Sequence, residues 1–212
     1  MKVLLIAGPT HAPLDEARSI TNRSTGKTGL AVAEIFQKAG HSLCLWLGEG
    51  TTHPLPLTLN RNAKFHTLND LKELILKTDL TTFDAILLPA ALPDYELHQA
   101  LGPDNKPLPH KKWPGSLSRI LVELRPTYRL LPTLRSKAPK AKIIGWKWEA
   151  GTKTEEAVTA AQQQCLNCKT SASVLNGPAY GKGYLLIPAA GKNVPCADAQ
   201  ALGEALLRFL KS

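Results

Sequence analysis

The 212-residue chain has no apolar run long enough to cross a bilayer, which excludes a helical membrane span. Its N-terminal MKVLLIAGPT lacks the longer apolar core and small-residue cleavage site of a secretory leader and runs into a Gly-Pro turn, so it reads as a first buried strand. Aromatics are sparse, four each of Trp, Tyr and Phe, and no basic stripe interleaves with them; a nucleic-acid surface is not expected. Four cysteines give no disulfide framework. Cys165 and Cys168 form a lone CxxC, but no second pair or nearby His completes a four-ligand metal site. There is no internal repeat and no low-complexity tract. Acidic residues are also short, 17 against 26 Lys and Arg, and the resulting charge of +9 favours anionic partners such as phosphorylated metabolites.

What is present suits an ordinary globular protein, 43% apolar and 20% charged, and its length fits one domain over residues 1–212. Apolar strand-like runs alternate with stretches of helical periodicity, the pattern of an α/β fold in three layers, with a mostly parallel sheet between helices. Strands are predicted at 2–7, 42–47, 63–66, 83–88, 117–124, 142–148, 171–175 and 184–187, the run at 117–124 continuing the sheet. Helices are predicted at 28–39, 69–77 with Asn69 as N-cap, 130–136, 154–165 and 197–210. Residues 8–25 form a long turn. Residues 101–116, rich in proline and carrying Lys111 and Lys112, read as a flap.

The long turn AGPTHAPLDEARSITNRSTGKTG lies between the first strand and the first helix, where α/β folds bind ligands. Its TNRSTGKT tail is not a P-loop, whose spacing requires Gly where Thr21 stands. Ser24, Thr25 and Gly26 can still present hydroxyl and backbone donors to phosphate at a helix N-terminus, with Lys27 adding charge. The same residues equally suit plain helix capping.

The wording AGPT, then PLD, then Arg18, then ITNRSTGKTG resembles the phosphopantothenoylcysteine synthetase family, whose Ser-Ser-Gly-Lys appears here as Ser24-Thr25-Gly26-Lys27. PAALPDYE is similar to that family's Ala-Ala-Val-x-Asp-Tyr strand end, with Ala90, Ala91, Asp94 and Tyr95 in register. The resemblance implies a Rossmann-like fold, a homodimer and a cytoplasmic setting. It implies a ligase joining 4'-phosphopantothenate to L-cysteine in coenzyme A biosynthesis. The acid's carboxylate attacks the α-phosphate of CTP in the presence of Mg2+, giving an acyl-cytidylate and pyrophosphate; the cysteine amine then displaces CMP. By the same resemblance Asn22 holds the acyl group and Arg18 reaches the neighbouring protomer's substrate site. Gly8, Thr10, Ala90 and Ala91 lie against the ligand, Asp94 contacts the nucleotide, Lys111 and Lys112 serve the triphosphate from the flap, and Asn176 matches a strand-end Asn. Because the chain opens at Met1, the expectation is a synthetase without the flavin-dependent decarboxylase domain to which bacterial relatives are often fused, and hence no flavin.

Departures from the family pattern keep alternatives open. The flap's Lys-x-Lys-Lys is reduced to Pro109-His110-Lys111-Lys112, and Asn-Pro-Asp-Ile becomes Arg125-Pro126-Thr127-Tyr128. Gly-Phe-x-x-Glu-Thr becomes Gly145-Trp146-Lys147-Trp148-Glu149-Ala150, where the two tryptophans could pack in the core or face a ligand, core packing being the expectation. An ATP-using ligase acting on a related carboxylic acid is one alternative. A nucleotide-binding homologue without ligase activity is another.

Overall fold

In the computed structural model, which describes residues 1–151 and 153–212, the first apolar run becomes β1 (Lys2–Ala7). Its side chains alternate between two cores: Val3, Leu5 and Ala7 join one cluster, Leu4 and Ile6 the other. Such a strand, buried on both faces, must be apolar throughout rather than at every second position. Each of these larger side chains contributes about 1.5–3 kcal/mol on burial.

The remaining strands are β2 (His11–Pro13), β3 (Ser19–Thr21), β4 (Ser42–Gly48), β5 (Ala63–Phe65), β6 (Ala85–Leu87), β7 (Tyr95–Leu101), β8 (Leu121–Pro126), β9 (Lys142–Trp148), β10 (Ala172–Asn176), β11 (Tyr184–Pro188) and β12 (Val194–Cys196). The helices are α1 (Lys27–Lys38), α2 (Leu68–Lys77), α3 (Leu130–Lys137), α4 (Thr154–Cys168) and α5 (Ala199–Lys211), with a 3-10 turn at Leu80–Thr82. Eight strands form the main sheet in the order β12-β11-β10-β9-β6-β1-β4-β5. It is parallel from β10 to β5, with β11 and β12 added antiparallel at one edge. The first core contains side chains of α1 and α5, and the second those of α2 and α3. A smaller cluster seats α4 against β10 and β11. The mostly parallel, helix-flanked sheet is the predicted architecture.

Several local expectations are corrected. The run at 117–124 does not continue the sheet: β8 pairs antiparallel with β7 in a separate two-stranded ribbon, and all six of its residues are exposed. The turn at 8–25 contains the small β2–β3 hairpin. Thr67, not Asn69, caps α2, because its hydroxyl accepts from the Asp70 N–H while the Asp70 carboxylate accepts from the Thr67 N–H. α4 runs on to Cys168, and both cysteines of the CxxC are buried as free thiols whose pKa burial pushes up. Trp146 packs against the first core as expected, but Trp148 is 62% exposed.

Candidate active site

The carboxyl ends of β1 and β6 are stitched together past the sheet. The Thr10 N–H donates to the Ala91 carbonyl at 3.0 Å, and the Ala91 N–H donates to the Gly8 carbonyl at 3.0 Å. The buried Thr10 hydroxyl donates to the same Ala91 oxygen at 3.3 Å. Gly8, Thr10, Ala90 and Ala91 are therefore held together as one wall at the carboxyl edge, where parallel sheets place their ligands. The hairpin docks onto this wall: Thr21 Oγ1 donates to the Thr10 carbonyl at 2.9 Å, and Asn22 Nδ2 donates to the Leu92 carbonyl at 2.7 Å. Asn22 stays exposed, with its amide oxygen and second N–H proton free to meet a substrate.

Immediately after Asn22 the chain turns into α1. The Ser24 N–H donates to the Asn22 carbonyl at 2.8 Å, and the Thr25 carbonyl accepts from the His53 N–H at 3.0 Å. Gly26 is the N-cap in the left-handed region at φ 79°, no side chain caps the helix, and its first turn holds no acid. The Lys27 N–H makes a long bond to Thr25 Oγ1 at 3.4 Å, and the next N–H groups, with the positive end of the helix dipole, remain available to an anion. Lys27 is exposed beside them. The Thr51 side chain backs this turn, and its Oγ1 is buried without a hydrogen-bond partner.

Arg18 belongs to a second assembly, a clasp on the flap. The Asp15 carboxylate accepts from the N–H groups of Ala17 at 2.8 Å, Arg18 at 2.7 Å and Trp113 at 3.0 Å, and pairs with Arg18 Nη1 at 2.5 Å. These bonds, that from Trp113 foremost, hold its pKa below the ordinary carboxylate range against the opposing effect of burial. Arg18 Nη2 reaches the Trp113 carbonyl at 3.3 Å, and the buried Trp113 indole donates to the Pro109 carbonyl at 2.9 Å. The Lys112 N–H donates to Glu16 at 3.2 Å. Lys111 and Lys112 flank this anchor, and both side chains are exposed.

Asp94 is exposed immediately before β7, its carbonyl accepting from the Thr127 N–H at 2.9 Å. Asn176 ends β10, three strands from β1 in the sheet order, so it shares the carboxyl edge without joining the Asn22 wall. Among the described residues no three His, Cys, Asp or Glu side chains gather as a metal site. A cavity of about 470 Å3 opens between α2, the β7–β8 ribbon and His110, with Lys72, Glu96, Arg125 and Tyr128 in its wall. It is lined by His110, Arg125 and Tyr128 of the two altered motifs, but by none of the residues of the Asn22 wall or the 24–27 turn. Asp15, Trp113 and Thr51 escaped the sequence reading. Asp15 stood inside the quoted PLD, but only the fold reveals that Trp113, 98 positions away, is its partner.

The family model of the DNA/pantothenate metabolism flavoprotein C-terminal domain matches residues 1–182. The chain belongs to that family. It is 28% identical over 165 residues to the coenzyme A biosynthesis bifunctional protein CoaBC of Thermococcus kodakarensis, covering 77% of this chain and 38% of that protein. The chain thus spans well under half of that relative's length. Among solved structures, the DNA/pantothenate metabolism flavoprotein of Streptococcus pneumoniae superposes with a TM-score of 0.84 at 20% identity, covering 100% of this chain and 98% of the other. A Cab2 variant in complex with phosphopantothenate-cysteine superposes with a TM-score of 0.73 at 19% identity, covering 99% and 87%. Both show the same fold as this family member. Family membership agrees with the resemblance carried by the β1–α1 turn.

Proposed function

We propose that this family member is a nucleotide-dependent ligase joining 4'-phosphopantothenate and L-cysteine in coenzyme A biosynthesis, with CTP as co-substrate and a cytoplasmic setting. The observation that carries the reading is the turn that ties Asn22 to the Leu92 carbonyl beside an α1 N-terminus with no side-chain cap. The first feature suits a carboxylate and the second a phosphate, the two groups that must meet in acid activation. The names of the relatives, a coenzyme A biosynthesis protein and a protein holding phosphopantothenate-cysteine, support the same substrates.

In this reading the triphosphate lies on the 24–27 turn with Lys27, and Lys111 and Lys112 meet it from the flap. Asn22 orients the acid. A carboxylate oxygen attacks the α-phosphorus, and the bond to pyrophosphate breaks. The cysteine nitrogen then attacks the acyl carbon, the acyl–oxygen bond breaks, CMP leaves and the amine loses a proton. The chain's contribution is positioning and charge stabilisation. Mg2+ bound with the triphosphate would supply charge neutralisation on the phosphates, beside which Lys27, Lys111 and Lys112 add positive charge. No flavin takes part.

The exposed ribbon supports a homodimer, whereas Arg18 is engaged within its own chain by Asp15 and Trp113. Tyr95, Leu121, Val122 and Leu124 are 39–54% exposed on β7 and β8, more apolar surface than an isolated ribbon needs. One observation favours ATP or a related acid instead. Arg125 pairs with Glu96 at 2.9 Å and Thr127 Oγ1 donates to the Pro93 carbonyl at 2.6 Å, so residues at the altered nucleotide motif are engaged within the fold. Incubating the folded protein with phosphopantothenate, cysteine, Mg2+ and either CTP or ATP, with product read by mass spectrometry, distinguishes these. Amide formation with CTP is expected; none with either nucleotide overturns the ligase.

A further inference from the structure

Trp148 is the last residue of β9 and is 62% exposed at the carboxyl edge of the sheet. Strand side chains alternate between faces, and Trp146, two residues earlier, packs on the core shared by α1 and α5. Trp148 therefore lies on the α1 side of the sheet, beyond the core. β9 is two places from β1, about 10 Å at the usual strand spacing, so the indole stands one nucleotide's reach from the α1 N-terminus.

The loop at 177–183 joins these two points. Asn176 is the register partner of Trp148, and Gly177 follows it in direct contact with Glu149: a Cβ there would come within 2.4 Å of the Glu149 carbonyl oxygen. The loop carries the exposed Lys182 and returns at Tyr184, whose hydroxyl bonds Thr28 Oγ1 at 2.7 Å in the first turn of α1. Behind the tryptophan, Lys147 and Glu149 pair at 3.0 Å and tie the strand end together. A large indole left uncovered on a fixed strand end is a stacking platform for any base, and such stacking is tolerant of base identity.

We infer that Trp148 stacks on the base of the nucleoside triphosphate whose phosphates occupy the α1 N-terminus, making it a determinant of nucleotide affinity. The inference rests on the nucleotide-binding part of the proposed function. The family motif leaves this position unspecified, so the platform is a property of this chain.

Calorimetric titration of the wild type, Trp148→Ala and Trp148→Phe with Mg2+ complexes of CTP, ATP and tripolyphosphate tests it. Trp148→Ala is expected to raise the Kd for the preferred nucleotide about tenfold, as loss of one base stack does. Trp148→Phe should retain most of the affinity, and tripolyphosphate, which has no base, should bind all three proteins alike. Nucleotide binding by Trp148→Ala within twofold of wild type, or an equal loss for tripolyphosphate, overturns the stacking role and leaves the ligase reading intact. A folded wild type that binds no nucleotide removes both.

Discussion

Replacing Gly26 by Ala tests the phosphate turn through stability. The residue sits at φ 79°, and an added Cβ would stand 2.7 Å from Thr51 Cγ2 and 3.1 Å from Thr51 Oγ1. Holding an alanine in the left-handed region costs about 1–2 kcal/mol. Overpacking against Thr51 adds about 1–3 kcal/mol. The reduced freedom of the unfolded chain returns about 0.4–1 kcal/mol. The net expectation is a loss of about 2–4 kcal/mol, roughly 5–12 °C in Tm for a chain of this size. Thr51→Ser removes the Cγ2 that makes the shortest contact, so in that background Gly26→Ala should cost only about 1 kcal/mol, mostly the backbone penalty. Urea unfolding of the four proteins in the cycle reads both values. A cost below about 0.5 kcal/mol, or the same cost in both backgrounds, refutes the placement of Thr51 behind the turn.

Asp15→Asn should release the flap, read as faster hydrogen exchange at the Trp113 N–H; unchanged exchange would contradict the clasp. The folded pKa of Asp15 is lowered, so the clasp's stabilising effect is complete above the unfolded carboxylate value, about 4, and is lost as pH falls through the lower folded value. The protection of the flap amides, relative to their unprotected rates, should therefore be constant at neutral pH in wild type and fall only in acid, a fall absent in Asp15→Asn. The proposed homodimer predicts a dimer mass for wild type in light scattering and a monomer mass for the double variant Val122→Lys and Leu124→Lys; a monomeric wild type contradicts the dimer, and an unchanged dimer places the interface elsewhere.

The central sheet was legible because buried parallel strands are continuous apolar runs: β1 and β9 fall where predicted, and the first helix within one residue. The ribbon was misassigned because Leu117 to Leu124 alternates like a sheet strand, and alternation does not say which partner a strand chooses. The place of the Ser24 to Lys27 turn, at the N-terminus of the first helix, was readable because Gly, Ser and Thr favour such junctions, whether they cap the helix or meet an anion. The Asp15–Trp113 clasp and the Thr51 wall were hidden because they join segments far apart in the chain. Trp148 was misplaced for a simpler reason: its composition says core, and only its position one step past the end of the packed layer leaves it exposed.

The most direct test of the account is the rate of amide formation from phosphopantothenate, cysteine and Mg2+–CTP by the wild type and Asn22→Ala, with nucleotide affinity measured alongside. The account predicts a product rate about 100-fold lower or worse in the variant, the scale expected when one positioned hydrogen-bonding group is removed from a reacting centre, with nucleotide binding little changed. Wild-type rates in Asn22→Ala would contradict it.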